Sequence, residues 1–324
     1  MCTAVTFKGK DHYFGRNLDL DRSYHESVII TPRNFSFRFR NVPTITNHFA
    51  MIGMAVVSKD FPLYYDATNE QGLSVAGLNF PENAIYYPQN ENTNNIAPFE
   101  LIPWILCQCK TVSNAEDLLK KCNILQESFS HEYKVTPLHW IISDEKRSIT
   151  VETLEDGMRI YKNPVGILTN NPPFDFHMYH LNNYMNLTHM EPVNRFSESI
   201  PLAAYSRGMG AIGLPGDLSS SSRFIRAAYT KFNSVCGATE EESVNQFFHI
   251  LGSVSQQKGC VMAGEGYEMT VYSSCCNVNK GIYYYKTYEN SQITGVDMNR
   301  VDLDGEKLIQ YPLRTKTNIF WEEN

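Results

Sequence analysis

The chain has 324 residues, of which 42% are hydrophobic and 19% charged, a balance typical of a folded globular protein and not of a disordered one. Its formal net charge is −7 and no lysine- and arginine-rich block stands out, which argues against nucleic acid as a partner. The start lacks a basic region followed by an apolar run, and no stretch approaches the roughly 20 apolar residues that cross a bilayer, so we expect a soluble, intracellular protein.

The first predicted elements are strands. The alternating segment "CTAVTF" predicts one strand, "KGKD" a turn, and "HYFGRNLDL" a second strand, so the pair forms a hairpin that places residue 2 beside residues 16–19. Further strands are predicted in "SVIITP", "FSFRFR", "FAMIGMAVVS" and "PLYYDATNEQGLSVAGLNFP". We place turns at Pro62 and at Gln71-Gly72.

Two helices follow in "APFELIPWILCQC" and "TVSNAEDLLKKC", where Ser113 and Glu116 form a capping-box pattern. Strands return from "LHWIISD" to "GILTNNP", with a hairpin turn at Asp156-Gly157. The segments "SSSSRFIRAAYTKF" and "TEEESVNQFFHILGSV" predict two more helices, and "EMTVYSSCCNV" and "GIYYYKTYEN" close the chain with β-rich sequence. This order favours antiparallel sheets with helices layered outside them, without a visible domain boundary.

Cys2 is the residue that the sequence singles out for chemistry. Initiator methionine is normally removed when residue 2 is small, so we expect a mature chain that begins with Cys2. That residue then carries a thiol, whose pKa is about 8.5 when free, and an α-amine with a pKa of about 7.7–8.0. One residue can therefore supply both nucleophile and base, as N-terminal threonine nucleophiles do. Taken alone, Cys2 is better interpreted as an ordinary thiol at the end of a strand.

Two charged residues lie across the predicted hairpin from Cys2. Arg16 can lower the pKa of the thiol by its charge, and Asp19 can hold the α-amine. The alternative for this pair is a surface ion pair.

Three more polar residues stand where predicted elements begin or end. Asn79 ends a strand in "GLNFP" and Asn170 stands in the similar setting "GILTNNP". A side-chain amide can donate to an oxyanion or hold a leaving group, although both asparagines also suit plain turns. Arg223 begins a helix in "SSRFIR", where a solvated helix face is the alternative.

Together these segments closely resemble the bile salt hydrolase (choloylglycine hydrolase) family of the N-terminal nucleophile hydrolases. The resemblance runs from Cys2 to about Tyr311 and rests on several motifs in the same order: "MCTAVTF", "FGRNLDLD", "YYDATNEQGLSVAGLNFP", "LHWIISD", "GILTNNP", "GLPGDLSSSSRFIRA" and "YYYKTYENSQI".

The resemblance implies an α+β fold, a four-layer αββα sandwich of two antiparallel sheets flanked by helices, with residues 1–324 as one domain. It also implies a homotetramer, no cofactor and no metal, conjugated bile salts as the small-molecule partner, and a bacterial, cytoplasmic enzyme associated with the gut. By motif, the catalytic residues are Cys2, Arg16, Asp19, Asn79, Asn170 and Arg223. The neighbouring Arg226 is interpreted as structural.

The implied reaction is hydrolysis of glycine- and taurine-conjugated bile salts through a thioester on Cys2. Asn79 is expected at the oxyanion hole, and Asn170 is expected to orient the α-amine and the substrate amide. A steroid acyl group needs an apolar pocket with few polar anchors. The candidates for its wall are Leu18, Phe61, Tyr65, Phe129, Tyr133 and Leu138, each of which also suits ordinary core or loop packing.

Four alternatives remain open at this point. A penicillin V acylase shares the fold and the nucleophile, but such acylases tend to carry tyrosine where this chain has Asn79. An acyl-homoserine lactone acylase is a further option within the same chemistry, and a non-catalytic binding protein could retain the fold. A metal enzyme would depend on His177 and His180, which have no nearby acid or cysteine to complete a site.

Overall fold

The structure, a computed structural model, describes residues 1–322. In chain order its strands are β1 Cys2–Lys8, β2 His12–Leu20, β3 Ser27–Thr31, β4 Met51–Ser58, β5 Phe61–Asn69, β6 Ser74–Asn79, β7 Asn94–Ile96, β8 Cys122–Ile124, β9 Leu138–Ser143, β10 Ser148–Leu154, β11 Gly157–Lys162, β12 Ile167–Leu168, β13 Met262–Ala263, β14 Gly266–Tyr267, β15 Met269–Asn277, β16 Ile282–Thr287, β17 Thr294–Asp297 and β18 Ile309–Pro312. The α-helices are α1 Leu101–Gln108, α2 Val112–Leu119, α3 Phe174–His180, α4 Ser220–Asn233 and α5 Glu240–Gly252.

Two large antiparallel sheets hold most of these strands. A six-stranded sheet has the order β12-β1-β2-β15-β16-β17, and an eight-stranded sheet has the order β11-β10-β9-β6-β5-β4-β3-β18. The remaining strands form two small pairs, β13 with β14 and, in parallel, β7 with β8. The last strand, β18, pairs with β3, so the eight-stranded sheet joins early and late parts of the described chain.

The two sheets face each other, and helices cover their outer faces. Along β3, Val28 and Ile30 belong to the core shared with the six-stranded sheet, whereas Ile29 between them belongs to the core beneath α1. This alternation follows from the two-residue period of a strand that is buried on both faces. Helices α4 and α5 pack on the six-stranded sheet and α1 on β5 and β6 of the other. The αββα sandwich is confirmed.

The N-terminal hairpin forms as the alternation of the sequence predicted. Cys2 pairs with Leu18 and Ala4 with Arg16, so Cys2 and Arg16 lie on the same face of the sheet. Strand β2 pairs on its other side with β15, which leaves the hairpin in the interior of the sheet. Cys2 therefore starts a strand that is held on both sides, by β2 and by β12.

Several local predictions were wrong. The segment "FSFRFR" forms only an isolated bridge between Phe37 and Ile45, because its phenylalanines fold over the aromatic core around Phe61. Pro62 lies within β5; the chain turns instead at Lys59-Asp60, where φ is 50° and 62°. The side chain that caps helix α2 belongs to Thr111 and not to Ser113.

Other local predictions were confirmed. The turn at Asp156-Gly157 joins β10 to β11, with Gly157 at a φ of 124°. Helix α4 is capped by Ser219, and α5 begins with a capping box between Thr239 and Glu242. Helix α3 and the long irregular segment 185–208 before α4 were not predicted. Among the described residues, none of the helices combines the length and the apolar character that spanning a bilayer requires.

Candidate active site

Cys2 is buried at the start of β1, with 3% of its surface exposed. Its backbone nitrogen donates to Oδ1 of Asn170 at 2.8 Å, and its carbonyl oxygen accepts from Nη1 of Arg223 at 2.5 Å. This nitrogen is the atom that becomes an α-amine when Met1 is removed. The site therefore holds the nitrogen and the carbonyl of Cys2 in a defined orientation before any substrate binds.

Asn170 follows β12 and has both polar groups of its side chain engaged. Its Oδ1 accepts from Cys2 and from Nη2 of Arg223 at 2.7 Å, and its Nδ2 donates to the backbone oxygen of Asn79 at 2.7 Å. Its backbone nitrogen donates to Oγ of Ser220 at 2.8 Å, and its carbonyl lies 3.0 Å from Nε2 of His177. These contacts fix the orientation of the amide toward the nitrogen of Cys2.

Arg223 lies in the first turn of α4 and is fully buried. Besides Cys2 and Asn170, it donates to Oγ1 of Thr3 at 2.6 Å and, through Nε, to the carbonyl of Leu218 at 3.1 Å. Burial lowers the pKa of Arg223, while the negative charge of Asp19 opposes that shift. The guanidinium thus joins helix α4 to the first strand at the position of Cys2.

Asp19 on β2 is the carboxylate that faces Arg223, with Oδ2 at 3.9 Å from Nη1. Its Oδ1 accepts from Oγ1 of Thr270 at 2.7 Å, whereas its Oδ2 is buried without a hydrogen-bond partner among residues 1–322. Burial raises the pKa of Asp19, and the charge of Arg223 works against that rise. An unsatisfied carboxylate oxygen beside the N-terminus is available to a new donor, such as a free α-amine.

Arg16 extends from β2 across to the opposite sheet. Its Nη1 donates to the carbonyls of Tyr65 and Gly77 at 3.0 and 2.5 Å, while its Nη2 is buried and has no partner within the described part of the chain. Burial acts to lower the pKa of Arg16, but the negative charges nearby, that of Cys2 first, outweigh burial and raise it. The unpaired Nη2 leaves donor capacity beside Cys2.

Asn79 ends β6, and its backbone oxygen binds Asn170. Its half-buried side-chain amide makes no hydrogen bond to any of the described residues, so it remains free to contact a ligand. The structure therefore brings all six sequence-predicted polar residues to the N-terminal end of β1. The five that surround Cys2 come from the six-stranded sheet, from α4 and from the opposite sheet.

Several contacts of the site could not be read from the sequence. Ser220, Thr270 and Thr3 hold Asn170, Asp19 and Arg223, yet serine and threonine carry no signal of such a role. Deeper still, the fully buried pair His139 and Glu152 supports this segment: Nε2 of His139 lies 3.0 Å from the carbonyl of Thr169, and its Nδ1 lies 3.0 Å from Glu152. Only the fold brings these residues together.

An apolar cavity of about 150 Å³ lies next to Arg16. It shares Tyr65 and Gly77 with the contacts of Arg16, so it adjoins Arg16, although none of the six catalytic candidates lines it. Four of the six predicted wall residues line it: Tyr65, Phe129, Tyr133 and Leu138. Leu18 does not; it is 2% exposed, in the core directly across from Cys2. Phe61 lies behind the wall, with its ring centroid 6.0 Å from that of Phe129.

Arg226 and His180 lie outside the polar cluster around Cys2, and His177 touches it only through the carbonyl of Asn170. Arg226 binds the carbonyls of Ser253, Pro215 and Asp217 and ties α4 to adjacent loops. His177 is buried against Phe224, while His180 is on the surface. Within residues 1–322 no group of three or more His, Cys, Asp or Glu side chains is placed to hold a metal ion.

Comparison with known families and proteins agrees with this geometry. Residues 2–311 match the family model described as linear amide C–N hydrolases, choloylglycine hydrolase family. The chain is 51% identical over 321 residues to a bile salt hydrolase/transferase of Lactiplantibacillus plantarum, covering 99% of each chain. It is 37% identical to a protein of the same name from Clostridium perfringens, covering 98% of this chain and 99% of that one.

Solved structures show the same fold. A crystal structure of the C2A mutant of conjugated bile acid hydrolase from Clostridium perfringens superposes with a TM-score of 0.91 at 36% identity, covering 100% of both chains. Penicillin V acylase from Agrobacterium tumefaciens has a TM-score of 0.74 at 18% identity, covering 96% of this chain and 90% of that one, a likeness in fold alone.

Proposed function

The chain belongs to the choloylglycine hydrolase family of linear amide C–N hydrolases, and from this premise we propose that it hydrolyses the amide bond of glycine- and taurine-conjugated bile salts. The products are the free bile acid and glycine or taurine. The proposal depends mainly on two contacts of Cys2 near the apolar cavity. Asn170 binds its nitrogen and Arg223 binds its carbonyl oxygen. The name of the relative at 51% identity supports the substrate class.

In the proposed reaction, loss of Met1 frees the α-amine of Cys2. The amine takes the thiol proton as Sγ attacks the amide carbonyl, and it returns a proton to the leaving nitrogen as the C–N bond breaks. The side chain of Asn79, unbound in the structure, and a backbone N–H stabilise the oxyanion. Water then attacks the thioester, forming the carboxylate of the bile acid and restoring the thiol.

The other polar residues position these groups. Asn170 holds the α-amine through Oδ1, which keeps the amine lone pair directed toward Sγ. Asp19 offers its unpartnered Oδ2 to the same amine. Arg16 and Arg223 place two buried guanidinium groups beside Cys2, where negative charge develops during the reaction.

The cavity is the proposed site for the steroid. Pockets for ligands of this size are usually about 300–1,000 Å³, larger than the cavity of about 150 Å³ found here. A bound steroid would therefore extend out of the cavity toward solvent, along the wall formed by Phe129 and Tyr133. That wall belongs to the segment 127–136, which has no regular secondary structure and is held by Arg40.

We also propose that residues 1–324 form one domain and that four copies assemble in the cytoplasm, with residues 323 and 324 outside the described part. The pairing of β18 with β3 supports a single domain. The irregular segment before α4 supports assembly, because it exposes a series of large apolar side chains: Met185, Met190, Val193, Phe196, Ile200, Leu202 and Tyr205. Such a concentration of exposed apolar residues marks protein interaction surfaces.

The test is amine release from glycocholate, taurocholate and penicillin V, measured side by side for the wild type and Cys2→Ala. We expect release from the bile salts that is abolished in the variant. Release mainly from penicillin V would assign the sister activity and show that Asn79 does not select the substrate. Activity in protein shown by mass spectrometry to retain Met1 fully would contradict the proposed role of the α-amine.

A second candidate activity is acyl transfer, because relatives over nearly the full chain are named bile salt hydrolase/transferase. A thioester on Cys2 can be attacked by an amine in place of water, which forms a new amide and restores the thiol. Incubating the enzyme with a bile salt and an excess of a different amino acid tests this directly. Appearance of the new conjugate by mass spectrometry supports transfer, and its absence restricts the activity to hydrolysis.

A further inference from the structure

A buried carboxylate with no part in the proposed reaction lies between the two sheets, near Arg16. Asp66 on β5 is 1% exposed and extends toward the six-stranded sheet. Its Oδ1 accepts from the hydroxyl of Tyr272 at 2.8 Å and its Oδ2 from the hydroxyl of Tyr283 at 2.7 Å. Both tyrosines are also buried, so a carboxylate and two hydroxyl groups lie together between the two sheets. Such a group is costly to bury and calls for an explanation.

Arg16 crosses the same interface in the opposite direction. Its two carbonyl acceptors, on Tyr65 and Gly77, flank the paired residues Asp66 and Ala76 of β5 and β6. Arg16 forms no ion pair within 4.0 Å among the described residues, so its charge lacks a direct partner. Asp66 is the buried negative charge beside its acceptors, and it acts on the pKa of Arg16 as Cys2 does. The guanidinium of Arg16 therefore interacts electrostatically with both Asp66 and Cys2.

The register of the six-stranded sheet relates this cluster to Cys2. Cys2 pairs with Leu18, and Leu18 pairs with Tyr272 on the next strand, so the three stand in one row on one face. Two strand spacings separate the backbones of Cys2 and Tyr272 by about 10 Å. Leu18 and Tyr272 are both buried, so protein and not solvent fills the space between Cys2 and Tyr272. Electrostatic effects over this distance are only weakly screened inside the protein.

We propose that Asp66, held by Tyr272 and Tyr283, is a positioning residue that balances the charge of Arg16 and thereby sets how strongly Arg16 stabilises the thiolate of Cys2. The inference rests on the proposed function in one respect, that Cys2 is the nucleophile. Two hydroxyl donors, one on each oxygen, keep the carboxylate in place and favour its ionised form against the burial that raises its pKa. The other charged or titratable groups around Cys2 are Asp19 on β2, Arg223 on α4, the α-amine that Cys2 gains when Met1 is removed, and the buried Glu268, which pairs with the amine of Met1.

The test is the pH dependence of Cys2 alkylation by iodoacetamide, followed on the N-terminal peptide by mass spectrometry in protein that lacks Met1. In Asp66→Asn the carbonyls of Tyr65 and Gly77 still hold Arg16, but its charge is no longer balanced. The midpoint for alkylation should therefore fall, by up to about one pH unit. Tyr272→Phe and Tyr283→Phe should shift it in the same direction by less, since each removes one donor to Asp66.

Tyr285→Phe is the matched control. Tyr285 lies two residues from Tyr283 on the same face of β16, is 2% exposed, and has a hydroxyl that accepts from the backbone of Arg314 at 3.1 Å. Its removal should cost similar stability and leave the midpoint unchanged. A midpoint that is unchanged or raised in folded Asp66→Asn would overturn the proposal. Asp66 would then only stabilise the contact between the two sheets. Because alkylation needs no substrate, this outcome is separable from a wrong assignment of the bile salt activity.

Discussion

Replacing Asn170 by alanine tests whether its contact with Cys2 matters for activity beyond its effect on stability. Asn163 provides a closely matched control. Both asparagines are buried, and they flank β12 on its two sides. The side chain of Asn170 makes three hydrogen bonds, to Cys2, Arg223 and the carbonyl of Asn79. The side chain of Asn163 also makes three, to Thr150, Ile167 and Gly166.

The two alanine variants should therefore lose comparable stability. At about 1 kcal/mol for each net hydrogen bond, each loses about 3 kcal/mol, and Asn170→Ala somewhat more because one of its partners is a buried guanidinium. Only Asn170→Ala frees the nitrogen of Cys2 and the Nη2 of Arg223. Losing the acceptor that orients a catalytic amine should lower kcat for bile salt hydrolysis by about 100-fold or more, the size seen when one oriented hydrogen-bonding group is removed from an active site.

Urea unfolding measures the stability of both variants, and amine release from taurocholate measures kcat below the unfolding transition. We expect both variants to be destabilised and only Asn170→Ala to be strongly impaired in kcat. If Asn163→Ala loses as much kcat as Asn170→Ala, the loss reflects the rigidity of the β12 region. The assignment of Asn170 to the amine of Cys2 would then be wrong.

Three further predictions concern the cavity, the effect of pH and assembly. Arg40 binds Glu127 and the carbonyls of Ser128 and Phe129, so it anchors the wall of the cavity. Arg40→Met should raise KM for bile salts about tenfold, or about 1.4 kcal/mol, with kcat nearly unchanged. An unchanged KM would contradict this role of Arg40. Burial lowers the pKa of His12 from 6.5 to about 4. Between these two pH values His12 is protonated in the unfolded chain but not in the folded protein, so the free energy of unfolding should fall by up to about 3 kcal/mol from pH 6.5 to 4. His12→Gln should flatten this part of the curve in urea unfolding, and an identical slope in both proteins would refute it. Phe196→Ser combined with Tyr205→Ser, at side chains 82% and 85% exposed, should convert tetramers to smaller species in sedimentation without unfolding the subunit, whereas an unchanged sedimentation coefficient would exclude this segment from the interface.

The parts of the fold that the sequence predicted are those with a local cause. The hairpin of β1 and β2 follows from alternation and a short turn, which spans residues 9–11 in the structure, so the pattern of residues alone places Cys2, Arg16 and Leu18 together. Helix α5 follows from the acidic residues of its first turn. The segment "FSFRFR" has the same alternation as a strand, but its partner across the bridge is a loop, and no local pattern distinguishes the two cases.

Depth within the core is a second limit on prediction. Leu18 and Tyr65 are both candidates for the wall of the steroid pocket that the resemblance implies, yet Tyr65 lines the cavity and Leu18 is enclosed by the sheet. The difference arises because β5 and β6 end beside an irregular segment, which leaves space, whereas β2 is covered on both sides by strands. Such spacing depends on how the two sheets meet, which single-sequence periodicity does not describe.

The way in which the two sheets meet also connects activity to stability. Arg16 reaches from one sheet to the carbonyls of the other, and Asn170 binds the carbonyl of Asn79 on that opposite sheet. A change in the distance between the sheets would therefore move the charge beside Cys2 and the residue proposed for the oxyanion relative to the nucleophile. Substitutions in the apolar layer between the sheets, for example at Val28 or Ile30, should consequently lower activity at temperatures where the protein remains folded. Ile29, in the core beneath α1, provides the control. A substitution of similar size there should lower the stability of the protein without changing the distance between the two sheets.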